Sequence, residues 1–210
     1  MLRDIPVSVD IISREVTYRG QIWDIVKDVI ALPDGVVTRD FLRHLGAVAV
    51  VAVNENNEIL VIEQYRHPVG SQMVELPAGL LDMSGEEPAK AAARELLEET
   101  GYSAKQWNVL VDICTTPGSS SETLRIFLAT DLQAQSWSTE NLTAEESQIK
   151  RHWVAMADAV SSILAGLWQN PTAVAGILAA KLATAESLRP ADAPWPLRDA
   201  NLETDRVFTF

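Results

Sequence analysis

The stretch from Gly79 to Tyr102, GLLDMSGEEPAKAAARELLEETGY, constrains this chain more than any other. Its second half consists of Ala, Leu, Glu, Lys and Arg with no β-branched run, a helix-forming composition. Pro88 suits a first helical position, where its missing N–H is not needed, and Gly101 suits the left-handed residue that closes a helix. At about 100° per residue, Ala89, Ala93, Leu96 and Leu97 are expected to share one face, with Glu95, Glu98 and Glu99 on the other. Like charges three and four residues apart oppose helix formation by a few tenths of a kcal/mol per pair, so this clustering needs a reason. A Glu-rich helix taken alone is most simply a solvated acidic face. The other reason is a divalent cation, because hard ions take oxygen ligands and bridge to substrate phosphates.

The chain before this helix reads as strands. VDIISREVTYRG, IWDIVKDVIAL and VVTRDFLRH carry β-branched residues, with Pro33-Asp34-Gly35 as the turn between the second and third. Three strands with little apolar content make a poor core of their own, so they are expected to pack on the main domain or on a partner subunit. Trp23 is read as a core aromatic rather than a base-stacking platform. GAVAVVAV is a nearly continuous apolar run, as in a strand buried on both faces. NENNE is turn chemistry before the strand ILVIEQYR, and Pro77 ends the segment MVELPAG.

Beyond the helix, WNVLVDIC and LRIFLATDL read as strands joined by TTPGSSSE, a loop able to bring backbone N–H groups close to a ligand. Residues 133–148 are polar and without period, hence a loop, before the strand IKRHWVAM and the amphipathic helix MADAVSSILAGL. Asn170-Pro171 caps and opens a further helix, PTAVAGILAAKLATAES. The tail from Leu188 contains prolines and isolated apolar ends, so it is expected to be extended or loosely attached. The domain reading is an N-terminal β-strand dimerisation domain (1–46), a catalytic domain (47–187) and a C-terminal tail (188–210).

The formal net charge of −12 argues against a nucleic-acid surface. An acidic protein that handles a phosphate ester must bring in positive charge locally, by metal or Arg. Cys114 is the single cysteine, which excludes an internal disulfide framework, fits a cytoplasmic setting and reads as a small buried hydrophobe. The N-terminus lacks an apolar signal-peptide core and no run is long enough for a membrane span. His44, His67 and His152 do not suggest a ligand cluster, and Ser119, Ser120 and Ser121 lack the context of a nucleophilic serine.

Gly79, Glu86, Arg94-Glu95, Glu98-Glu99 and Gly101 together resemble the Nudix box, a Gly, five residues, a Glu, seven residues, and then RE-U-x-EE-x-G-U with U apolar. Leu96 and Tyr102 fill the apolar positions. Six residues rather than five separate Gly79 from Glu86, and Ser84-Gly85 can absorb the extra one in a turn. On the box the chain is identified as a member of the Nudix hydrolase superfamily. VIEQYRHPVG, ELPAGLLD, Pro117, SSET and EESQIKRHWV further resemble the ADP-ribose pyrophosphatases, and LLDMSGE resembles their actinobacterial members. The resemblance covers roughly residues 10 to 185.

It implies an α/β protein with a Nudix α/β/α sandwich around a mixed sheet, plus a small N-terminal antiparallel β domain often exchanged within a homodimer. It implies hydrolysis of the pyrophosphate bond of ADP-ribose to AMP and ribose 5-phosphate, assisted by Mg²⁺, with Mn²⁺ as a substitute. Glu95, Glu98, Glu99 and the carbonyl of Ala78 would be metal ligands, while Glu86 and Arg94 would pair to hold loop and helix together. Arg66, Glu122 and Arg39 (the last from the partner subunit) would contact substrate. A glutamate just before IKRHWV would activate the water, and Glu145 and Glu146 are the two candidates, with Glu145 preferred. Alternatives are another nucleoside-diphosphate sugar such as GDP-mannose as substrate, or a nucleotide sensor that has lost catalysis. The full carboxylate set disfavours the sensor.

Overall fold

The structure, a computed structural model, describes residues 2–136 and 148–203. It divides into two compact units, one comprising Met1–Gly46, Ile113–Leu124 and Pro194–Phe210, the other Ala47–Asp112 and Arg125–Ala193.

The first unit holds a three-stranded antiparallel sheet, β1 (Asp10–Arg19), β2 (Asp24–Leu32) and β3 (Gly35–Arg43). Leu32 pairs with Gly35 across Pro33-Asp34, the expected turn. The inward positions of β2 alternate Asp24, Val26 and Asp28, all buried. Buried carboxylates need partners, and both have them: Arg14 forks onto Asp28 at 2.6 and 2.5 Å, and Arg43 reaches Asp24 at 2.5 Å. A sheet stapled by ions explains why its apolar pattern is thin. The 115–122 loop joins this unit by backbone bonds, Leu42 N–H to Ser119 O and Ser121 N–H to Leu42 O.

The second unit holds the main mixed sheet of eight strands. β4 (Ala47–Val53) lies between β5 (Glu58–Arg66) and β9 (Thr123–Ala134). β10 (Lys150–Ala155) flanks β5, while β8 (Tyr102–Cys114) and the short β11 (Arg189–Pro190) continue beyond β9. β6 (Ser71–Glu75) pairs with β5, and β7 (Ala78–Leu80) with β4. Six of the seven β4 residues are buried, as an unbroken apolar run requires. Three helices pack here: α1 (Pro88–Thr100), α2 (Met156–Leu164) and α3 (Pro171–Leu182). Asn170 caps α3 by accepting the Ala173 N–H at 3.0 Å. Gly176 lets α3 lie close on the sheet; a Cβ there would stand 2.7 Å from Leu76 and 3.1 Å from Ile126 and Val51.

Several expectations are corrected. The buried face of α1 is Ala91, Ala92, Leu96, Glu99 and Thr100, with Leu97 exposed. The helix therefore turns one of its carboxylates inward instead of presenting all three outward. α3 stops at Leu182 instead of running on, because Ala183 is already extended. The tail is not loose: Arg189–Pro190 pairs with β8, Pro196–Glu203 forms α4, and Trp195 is buried with Arg198 over its ring. Arg125, itself buried, forks onto Asp112 and donates to Ala193 O at 2.6 Å, and Arg189 joins the same carboxylate. Cys114 is exposed, not buried. Trp23 is 39% exposed, tilted against the His44 ring, and not a core aromatic.

Candidate functional site

The site is built where β7 runs into α1. Glu86 is brought back toward the helix by a tight turn: its N–H donates to Met83 O at 3.1 Å, and Gly85 sits at φ 77°, where a side chain would be strained. The extra loop residue is thus absorbed at Ser84-Gly85. Pro88 is the first helical residue and Gly101, at φ 77° and ψ 16°, the last cap.

Arg94 organises the outer side of the helix. Its guanidinium forks onto Glu86 at 3.1 and 3.0 Å, and its Nη1 also reaches Glu95 at 2.7 Å and Glu98 at 3.0 Å. These bonds lower the Glu86 pKa and raise that of Arg94. The Glu86–Arg94 pair is therefore a brace between loop and helix. Glu95 behaves differently: burial raises its pKa against the pull of Arg94, with Glu98 and Asp82 adding repulsion. Gly79 makes room for it, since a Cβ at residue 79 would collide with the Glu95 carboxyl group.

Glu99 is the inward carboxylate. Its Oε2 accepts the backbone N–H of Ala78 at 2.9 Å. Burial pushes its pKa up to about 8, opposed by that N–H and by the charge of Arg66. Arg66 itself forks onto buried Glu75 at 2.9 and 2.7 Å. Arg151, from β10, donates to the Glu99 carbonyl at 2.9 Å, and burial lowers its pKa.

The structure thus gathers Ala78, Glu95, Glu98 and Glu99 around the β7–α1 junction, with Arg66 acting electrostatically on Glu99. Glu95 and Glu98 are drawn onto Arg94 while Glu99 faces Ala78. Among the described residues, no three acidic, histidine or cysteine side chains converge closely enough to enclose an ion. The donor set is nonetheless all oxygen, the chemistry a hard divalent cation takes. A buried carboxylate driven toward its neutral form is a group whose ionised state a bound cation would restore.

Arg39 and Glu122 belong to the other unit. Arg39 is exposed and donates to Thr38 O. Glu122 contacts the Thr115 hydroxyl and lies 3.4 Å from His44 Nε2. His44, which sequence reasoning set aside, accepts the Gly46 N–H at Nδ1 (3.0 Å), and burial lowers its pKa. Glu145 and Glu146 lie outside the described residues. Sequence reasoning missed Arg151 and Glu75: Arg151 meets Glu99 from 52 residues away, and Glu75 meets Arg66 across the pairing of β5 with β6.

A family model described as NUDIX domain matches residues 43–174. The chain is 42% identical over 187 residues to an ADP-ribose pyrophosphatase of Mycobacterium tuberculosis, covering 88% of this chain and 89% of that protein. It is 40% identical over 122 residues to an ADP-ribose pyrophosphatase of Bacillus subtilis, covering 58% and 65%. A crystal structure of an ADP compounds hydrolase superposes with a TM-score of 0.64 at 20% identity, over 86% of this chain and 95% of that one, which bears on the fold.

Proposed function

This chain belongs to the Nudix family, and from that premise we propose that it hydrolyses the pyrophosphate bond of ADP-ribose, giving AMP and ribose 5-phosphate. Nudix hydrolases generally use divalent metals, and the ion proposed here is Mg²⁺, with Mn²⁺ able to replace it. The carrying observation is the Glu99 carboxylate, buried beside Ala78 on the same helix that carries Glu95 and Glu98.

Glu95, Glu98, Glu99 and the Ala78 carbonyl would hold the ion. When bound, a divalent cation supplies Lewis-acid polarisation of the phosphoryl oxygens and neutralises charge on the leaving oxygen. The protein's own residues do the rest. Arg94, braced on Glu86, keeps the carboxylate face on a fixed helix. Gly79 leaves the space into which Glu95 turns. Arg66, anchored by Glu75 at the end of β5, directs positive charge toward the site and is the proposed phosphate contact, with Arg39 and Glu122 as further substrate contacts. Glu145 or Glu146 is the proposed base, because a carboxylate shared with a cation is a poor proton acceptor. The working form is proposed to be a cytoplasmic homodimer.

The experiment offers ADP-ribose and GDP-mannose side by side in Mg²⁺ and follows products by chromatography. AMP and ribose 5-phosphate in equal amounts, with ADP-ribose turned over faster, is the expected result. No AMP, or faster cleavage of GDP-mannose, overturns the substrate reading.

A further inference from the structure

The last turn of α1 runs against helix electrostatics. It carries Glu98 and Glu99 and has no basic residue, although the carbonyl end of a helix attracts cations and repels anions. Its terminal carbonyls also have no acceptor role within the helix. The missing cation arrives from 52 residues further along the chain, where Arg151 Nε donates to the Glu99 carbonyl at 2.9 Å.

Arg151 stands on a firm base. β10 pairs with β5 through six consecutive residue pairs, and Arg151 lies opposite Ile62, which is buried. The same end of α1 is held twice more. Gly101 O accepts the N–H of Gln135 at 2.9 Å, and Trp153, two residues after Arg151, meets Tyr102 edge-on at 5.5 Å between ring centroids. Of these contacts, only Arg151's bond ends on the backbone of a proposed ligand residue.

We propose that Arg151 is a positioning residue for the divalent-cation site: by bonding the Glu99 carbonyl, it fixes the turn from which the Glu99 carboxylate is aimed. This rests on the reading of Glu99 as a metal ligand. Arg151 bonds the backbone carbonyl of Glu99, and its charge also acts on the Glu99 carboxylate. Groups behind a metal ligand commonly change affinity by 10–100-fold when removed, and a charge-assisted bond to a helix-end carbonyl is of that kind.

The test measures Mn²⁺ binding to the full chain without substrate, by the loss of the free-ion electron paramagnetic resonance signal. It compares wild type, Arg151→Gln and Arg151→Lys, with thermal melting in parallel. Arg151→Gln should weaken Mn²⁺ binding about 10-fold while melting as a folded protein. Arg151→Lys keeps the charge but lacks the planar fork, and should recover part of the affinity. Equal Mn²⁺ affinity in wild type and Arg151→Gln overturns the inference and leaves the functional reading standing. Should Arg151→Gln fail to fold, Arg151→Lys decides: affinity below wild type supports the role, and equal affinity overturns it. A wild-type chain that binds no Mn²⁺ overturns the metal reading and this inference together.

Discussion

The side chain of Glu95 occupies the space that a Cβ on Gly79 would need. The obstructing atoms belong to the far end of a flexible side chain, so a methyl group at Gly79 would displace the carboxylate rather than the backbone. Gly79→Ala should therefore melt within a few degrees of wild type yet lose about 10²-fold in kcat, the cost of moving a reacting group by roughly 1 Å. Steady-state kinetics in saturating Mg²⁺, with a thermal melt, checks this. A fully active variant would show that Glu95 is not needed where it stands.

Glu99 predicts a pH effect. Its folded pKa is about 8, above the ordinary carboxylate value near 4.5, so the folded chain holds a proton that the unfolded chain has released. Between those values stability falls as pH rises, and it levels off above about 8. Glu99→Gln keeps an acceptor for the Ala78 N–H and removes the charge. It should stabilise the metal-free protein at pH 8 by at least about 1 kcal/mol, a rise in Tm of about 2–4 °C, and abolish most turnover. Melting curves at pH 5 and pH 8 test the sign: a gain that is larger at pH 5 contradicts it.

Glu145→Gln and Glu146→Gln separate the two candidate bases. Removing the base should lower kcat by about 10²–10⁴-fold with little change in KM, since proton transfer acts in the transition state. The larger loss is expected at Glu145. Equal and small effects would remove both from the chemistry.

The N-terminal sheet exposes Ile11, Ile12, Tyr18 and Val36, apolar surface available to the proposed dimer contact. The full chain is expected to scatter light as a dimer, and Ile12→Glu to shift it toward monomer with loss of activity. An active wild-type monomer would remove the interface from the proposal.

How much of this was legible in sequence differs by residue. Pro88 and Gly101 marked both ends of α1 because their backbone preferences are local and strong. The rotation of the helix was not legible. Sorting residues by polarity puts Glu99 outside, whereas an N–H from β7 and the charge of Arg66 let it face in. β2 was readable as a strand from its β-branched residues, but not the ion pairs that fill its inner face. The tail misled for a related reason: its prolines suggest looseness, while Trp195 and the Arg125–Asp112–Arg189 cluster hold it through partners far away in sequence. Arg151 was silent because nothing in its own neighbourhood requires it.

The first unit is assembled from Met1–Gly46, Ile113–Leu124 and Pro194–Phe210, and this dictates an order of events on the ribosome. The ion-stapled strands emerge first, yet the last segment of their unit is synthesised about 150 residues later, on the order of 10 s at ordinary elongation rates. During that interval Asp24 and Asp28 have Arg43, Arg19 and Arg14 as partners, all within the same nascent hairpins. Short-range ion pairs are thus the contacts this early, poorly apolar sheet can make before the polypeptide that completes its unit exists.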